Sequence, residues 1–288
     1  MTGKFVKDFV NLLIYGGAFI GLCAACITAL TFELTGQADN NLTYIFLVGA
    51  ATASLYALHR VIGLNRTMYH TTLGRFGIIR KYQFHIRVYT VFWVMLTLGF
   101  LMPILSLRFL LILTPGALIG FAYVIPFLPD GRRLRDLGWG KILMISWSWA
   151  WLTAVVPLWY FTEASGQLIV IHGLERMLFI MVIAIPFEIR DLNVDRSVGL
   201  ITMPDKLGKK KTIRIVYILT GLILFLAFIA SFHYFNPAYG IAIGITSVLL
   251  IPLISHSYSI DDDYYFGGLT DGMMIVALWL FIGANQFV

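Results

Sequence analysis

Three acidic residues, Glu188, Asp191 and Asp195, follow one another at spacings of three and four in Phe187-Glu188-Ile189-Arg190-Asp191-Leu192-Asn193-Val194-Asp195-Arg196-Ser197-Val198-Gly199. On a helix, at about 100° per residue, all three fall within roughly 60° of arc. Carboxylates on one stripe repel one another, and an Asp at the centre of a lipid-spanning helix costs about 2.5–3.5 kcal/mol. A divalent cation among them relieves the repulsion; magnesium is commonly held by one or two carboxylates, with water and phosphate oxygens completing its shell. Asp191 and Asp195 are the first candidates, as metal ligands and as catalytic residues, with Glu188 the third ligand. On spacing alone a second reading stays open, a solvated helix end at which Arg190 and Arg196 neutralise the acids. The sequence continues through Gly199, Thr202, Pro204 and Gly208 and carries Lys206, Lys209, Lys210 and Lys211. Acids for a metal and bases for phosphate around one turn-rich connection describe a diphosphate site, with Arg190, Arg196 and Lys206 as its anion-binding side chains.

The elements that carry these residues are apolar to an unusual degree. Of 288 residues, 59% are hydrophobic and 12% charged, with a mean hydropathy of +0.83. A soluble domain is about 45–50% apolar and about 25% charged, so the chain reads as a single transmembrane domain over residues 1–288. Nine apolar runs, near 9–32, 42–62, 88–107, 109–128, 141–161, 174–190, 213–235, 238–256 and 269–287, are each about long enough to cross a bilayer as a helix. The fold class expected is all-α, a polytopic membrane bundle of about nine helices. With nine spans, 19 of the 21 basic residues fall in loops on one side, and Arg108 and Arg176 on the other. Under the positive-inside rule this puts the N-terminus and the basic loops in the cytoplasm, in a bacterial-type inner membrane. The pI of 9.3 is then explained by orientation and by anionic lipid headgroups, and no nucleic-acid partner is needed. Cys23 and Cys26, spaced C-x-x-C inside the first run, are read as packing residues. Gly240 and Gly244 permit close helix approach.

The stretch Glu188-Ile-Arg-Asp191-Leu-Asn-Val-Asp195-Arg-Ser-Val-Gly199, followed by Thr202 and Leu207-Gly208, resembles the second aspartate-rich motif of the UbiA superfamily of intramembrane prenyltransferases. Glu188 stands at the first acid position, a conservative departure; Asp191, Asp195 and Gly199 match. Nine helices with the acidic motif at the cytoplasmic end of the sixth are similar to that family too. Tyr123 falls where the family often has a tyrosine ahead of a basic loop. Asp261, Asp262, Asp263, Tyr264, Tyr265 and Asp271 resemble its C-terminal region. The resemblance implies an enzyme that moves a prenyl group from an isoprenoid diphosphate to a lipophilic acceptor, with Mg2+ as cofactor and Tyr123 near the diphosphate.

The family's first acidic motif has no counterpart. Where it is expected, the chain reads Tyr56-Ala-Leu-His59-Arg60-Val-Ile-Gly-Leu-Asn-Arg66, and no Asp or Glu occurs between Asp39 and Asp130. Three readings follow. His59, Arg60 and Arg66 bind the diphosphate directly, since a guanidinium matches phosphate oxygens in pairs; or catalysis is lost and the pocket only binds an isoprenoid or other lipid; or His59 and Arg60 reach for headgroups as interfacial residues do. The first is the working expectation, with His59 and Arg60 as diphosphate ligands. A transporter is a further alternative, disfavoured because mid-span acids other than Asp271 are not evident. Trp147, Trp149 and Trp151 are candidate aromatic faces for a carbocation.

Overall fold

Inside lipid the backbone finds no water, so each long apolar run closes its own hydrogen bonds as a helix. The computed structural model describes residues 2–64, 74–126, 128, 131–197, 199–260 and 262–288; Arg66 and Asp261 lie outside the described residues. The helices are α1 (Thr2–Tyr15), α2 (Ala18–Glu33), α3 (Leu42–Leu64), α4 (Gly74–Lys81), α5 (Gln83–Leu101), α6 (Leu107–Val124), α7 (Lys141–Ala150), α8 (Val156–Phe161), α9 (Gly166–Arg190), α10 (Leu192–Ser197), α11 (Met203–His233), α12 (Pro237–His256) and α13 (Asp271–Ala284). A π-helical turn, Trp151–Val155, joins α7 to α8, and another, Tyr265–Thr270, leads into α13. Among the described residues eight helical stretches are long and apolar enough to cross a membrane, and the bent pair α1–α2 makes a ninth. The outer surface carries exposed Phe84, Leu107, Phe232 and Trp279, which suits hydrocarbon and not water. The chain is a multi-pass integral membrane protein.

The run expected as one straight first span is broken. Gly17 has φ 85°, a left-handed conformation that a glycine adopts without penalty, and the two halves diverge by 56°. A Cβ on Gly17 would also stand 2.6 Å from the Ala53 carbonyl oxygen, so glycine is required twice over. The break leaves carbonyls at the end of α1 without helical donors. Arg60 donates to the Tyr15 carbonyl at 3.0 Å and Trp93 to that of Gly16 at 3.0 Å. One turn on, α2 and α3 approach closely, and a Cβ on Gly21 would meet the Gly49 oxygen at 2.7 Å.

The turn at 151–155 has the same logic. Widening the helix by one residue turns carbonyls away from the ladder, and side chains answer: Tyr44 donates to Leu152 at 2.7 Å and Thr31 to Thr153 at 2.8 Å. Arg176 stands beside them. Counted by sequence with the loops of the second side, it is fully buried, about 15 Å along α9 from its first residue. Its guanidinium donates to the Ile27 carbonyl at 2.8 Å and to the Thr31 hydroxyl at 3.3 Å. Its neighbour Glu175, also fully buried, accepts from the Tyr239 hydroxyl in a short hydrogen bond. Tyr239 uses its one hydrogen there, so His172 Nδ1 donates to the Tyr239 oxygen at 3.0 Å. Glu175 is thus a mid-span acid that the sequence reading did not single out. It belongs to a polar knot that ties α2, α9, α12 and the π-helical turn.

Replacing the donor to Glu175 exposes how much this knot matters. Tyr239→Phe is expected to lower stability by about 1–3 kcal/mol, because a buried carboxylate loses its hydrogen bond. Thermal unfolding of the detergent-solubilised protein measures it; an unchanged Tm would mean that other groups hold Glu175.

Candidate functional site

Helix ends converge on a cavity of about 290 Å³ enclosed chiefly by α2, α3, α6, α7, α9 and α13. Along most of its length the wall is apolar, with Phe19, Ile20, Val48, Leu55, Ile145, Trp149, Leu152, Ile180, Ile183 and Met274. At the other end it carries Tyr15, Tyr56, His59, Arg60, Tyr123, Arg133, Arg135, Glu188, Arg190, Asp191, Asp195, Asp263 and Asp271. The C-terminal turns of α3 and α9 deliver His59, Arg60, Glu188 and Arg190. Asp191 caps α9, its N–H bonded to the Phe187 carbonyl at 3.0 Å, and α10 prolongs the path, with the Asp195 N–H bonded to the Asp191 carbonyl at 2.8 Å. The helical periodicity therefore carries all three acids to one wall.

Each acid of the trio meets a cation from the chain itself. Lys141, the first residue of α7, is buried with its Nζ 3.0 Å from Glu188 Oε1 and 2.7 Å from Asp195 Oδ2. Arg190 Nε lies 2.8 Å from Asp191 Oδ1, and its Nη1 lies 3.1 Å from Asp263 Oδ1. The same guanidinium rests over the rings of Phe187 and Phe266, at 5.1 and 5.5 Å from their centroids. Tyr15, at the break of the first span, donates to Asp263 at 3.0 Å. Arg135 donates to His59 Nε2 in a short hydrogen bond. Arg60 lies over the Tyr15 ring at 5.6 Å.

The loop before α7 is pinned by Arg133 and Asp136. Asp136 accepts from the Arg133 backbone at 2.9 Å and from its guanidinium at 3.1 and 2.9 Å. Burial pushes the Asp136 carboxyl up, but these hydrogen bonds and the Arg133 charge outweigh it and hold the group below the ordinary carboxylate range.

Of the residues singled out from sequence, His59, Arg60, Tyr123, Glu188, Arg190, Asp191 and Asp195 line the cavity together. Arg196 and Lys206 do not line it. Arg196 turns outward to Asp205, with Nη2 at 2.6 Å, and its side chain is more than half exposed. Trp149 lines the wall, whereas Trp147 and Trp151 stack on each other at 5.0 Å. Cys23 and Cys26 are free thiols, the first fully buried. Sequence reasoning missed Lys141, Arg133, Arg135 and Tyr15. The lysine and the two arginines had been counted as orientation charges, and no spacing rule links Lys141 to acids 47 and 54 residues away.

Magnesium takes near-octahedral oxygen ligands, and the donor set here does not supply them. Among the described residues no group of three or more His, Cys, Asp or Glu side chains is arranged to hold a metal ion. The expectation of a metal among Glu188, Asp191 and Asp195 meets Lys141 between two of the acids and Arg190 on the third. One carboxylate oxygen, Glu188 Oε2, is buried with no hydrogen-bond partner. It belongs, however, to a carboxyl already shared with an ammonium, whose charge repels a dication. The residues present do not fit the ion.

A multi-pass helical bundle around a cavity that is charged at one end and apolar along the rest is the class that fold and site define. More particularly, its fold is that of the UbiA homologues. The structure matches a UbiA homologue from Archaeoglobus fulgidus bound to DMAPP and Mg2+, with TM-score 0.61 and 12% identity over 95% of this chain and 99% of that one. It matches the apo structure of a UbiA homologue from Aeropyrum pernix K1 with TM-score 0.63 and 13% identity, over 93% and 96%. A structure of digeranylgeranylglyceryl phosphate synthase matches with TM-score 0.51 and 16% identity, over 97% and 99%. No protein-family model and no curated protein matches the sequence. The likeness expected from the second acidic motif is therefore present in the arrangement of the helices.

Asp136→Asn is expected to lower stability by about 1 kcal/mol at neutral pH. A carboxyl held below its unfolded value contributes stability above about pH 4, and this is lost as pH falls through the folded value. The gap between wild type and variant should therefore close in acid, as read by thermal unfolding across that range. A gap that stays constant would show that Asp136 acts by shape alone.

Proposed function

We propose that this chain is a UbiA-type membrane prenyltransferase that moves a prenyl group from an isoprenoid diphosphate to a lipophilic acceptor. The observation that carries this reading is the division of one cavity into a charged end, where Arg60, Arg133, Arg135 and Arg190 stand among paired carboxylates, and an apolar remainder, a match to the charged head and hydrocarbon tail of an isoprenoid diphosphate. Structures of similar fold have been solved with DMAPP and with GPP, which supports a donor of this class.

In this reading the diphosphate lies among Arg60, Arg135, His59 and Arg190, and the prenyl tail runs along Phe19, Leu55, Ile183 and Trp149. Guanidinium groups offer paired N–H donors to phosphate oxygens. As the carbon–oxygen bond breaks, its electron pair leaves with the diphosphate, and the fixed cations stabilise that developing charge. The allylic cation left behind is kept from water by the apolar wall and faces the rings of Tyr56 and Trp149. The acceptor's nucleophile bonds to the allylic carbon and loses a proton, which the departing diphosphate takes up. Glu188, Asp191 and Asp195 act in this scheme by holding Lys141 and Arg190 in position.

The same reading orients the chain. The charged mouth lies at the end where most lysines and arginines gather, so on this reading the N-terminus and basic loops face the cytoplasm of a bacterial-type inner membrane. The donor enters from that leaflet.

Purified protein, labelled GPP and a panel of aromatic and isoprenoid acceptors test the proposal. Transfer is expected, and Arg60→Met should lower it by about 10²–10³-fold, the scale of losing one donor to a developing negative charge. Tight GPP binding with no transfer to any acceptor would point to an isoprenoid-binding protein, the reading that the missing acids of α3 favour. Failure to bind GPP would remove the diphosphate site altogether.

A further inference from the structure

Resting on the prenyltransferase reading, we infer that the donor's diphosphate is held here by the chain's own cations without a divalent metal ion, Lys141 standing in for the metal between Glu188 and Asp195. Four observations converge on this. The ammonium of Lys141 is within ion-pair distance of both outer acids, and its side chain is only 4% exposed. The middle acid, Asp191, is matched by Arg190, which also reaches Asp263. The facing end of α3 presents His59 and Arg60 and has no acid, none occurring between Asp39 and Asp130. Among the described residues, the hydrogen bond that Arg60 makes goes to the Tyr15 carbonyl, and its guanidinium lies over the Tyr15 ring; a guanidinium has five donors, so it can also serve an anion.

A metal bridge works by joining two anions, protein carboxylate and phosphate. On α3 the protein side of that bridge has been replaced by a cation that can touch phosphate itself. On α9 and α10 the carboxylates remain, but a buried lysine answers them. To enter, a magnesium ion would have to shed water, which it does reluctantly, and displace an ammonium that has no solvent to retreat into. Both costs oppose the exchange. Lys141 is not itself among the residues that line the cavity; it acts on the site by neutralising Glu188 and Asp195, so that their charge does not repel the diphosphate held by the arginines.

GPP binding to the purified wild-type protein decides the matter, measured with Mg2+ and with EDTA. The dissociation constant is expected to agree within about twofold between the two conditions. Binding that disappears in EDTA and returns with Mg2+ overturns the inference and leaves the prenyltransferase reading standing. Absence of binding in both conditions overturns the two together. Mn2+ titration followed by electron paramagnetic resonance gives a readout independent of substrate, and stoichiometric Mn2+ on the wild type, displaced by Mg2+, also overturns it. Lys141→Met tests the residue. If the variant folds, GPP binding in EDTA should weaken by at least about tenfold, and an unchanged affinity rules out the role given to Lys141. If the variant does not fold, the wild-type comparison still decides.

Discussion

A charge taken out of water has to be met by an opposite charge, or it destabilises whatever holds it. Glu188, in the last turn of the membrane-crossing α9, and Asp195, on α10, are both buried, and Lys141 is the group that meets them. That contact joins the start of α7 to the end of α9 and to α10, and α7 and α9 also pack along their lengths. Once those three elements are joined, the wall of the cavity is set. Arg190 is turned toward Asp191 and Asp263, Asp263 toward Tyr15, and Tyr15 sits at the break between α1 and α2. The charged mouth holds two sets of opposed groups, Lys141 with Glu188 and Asp195, and Arg190 with Asp191 and Asp263.

The apolar half obeys a different constraint. Where the cavity is carved out, helices have to depart from regular geometry, and each departure frees carbonyls that need donors. At the break near Gly17 the donors are Arg60 and Trp93; at the turn 151–155 they are Tyr44 and Thr31. Some of the polar residues inside this bundle are therefore there to answer irregular backbone. Arg60 serves both halves, since it caps a broken helix and faces the cavity.

Much of this was legible in the sequence. Apolar runs of about twenty residues located the spans, because lipid leaves the backbone no other option, and helical spacing located the acids of α9 and α10 on one wall. Pairings between distant residues were not legible. Lys141 at the edge of an apolar run looks the same in sequence whether it reaches headgroups or a buried carboxylate, and only packing distinguishes the two. Glu175 and Arg176 were hidden for a related reason: the apolar run appeared to start at 174, whereas α9 begins at Gly166, so a pair that looked peripheral lies well inside. The break at Gly17 was hidden as well, because residues 9–32 read as one continuous apolar run and nothing local in the sequence distinguishes a packing glycine from one that breaks a helix.

The break in the first span also fixes a depth. The 16 residues of α2 rise about 24 Å, several ångströms short of a hydrocarbon core about 30 Å thick. α1 and α2 together have the length and composition of one crossing, so the elbow at Gly17 falls inside the first span and not at its end. Arg60, tied to that elbow, is carried inside with it. On the proposed reading, an isoprenoid diphosphate would find its head against a guanidinium that is part of a broken helix, while its chain lies along the apolar wall.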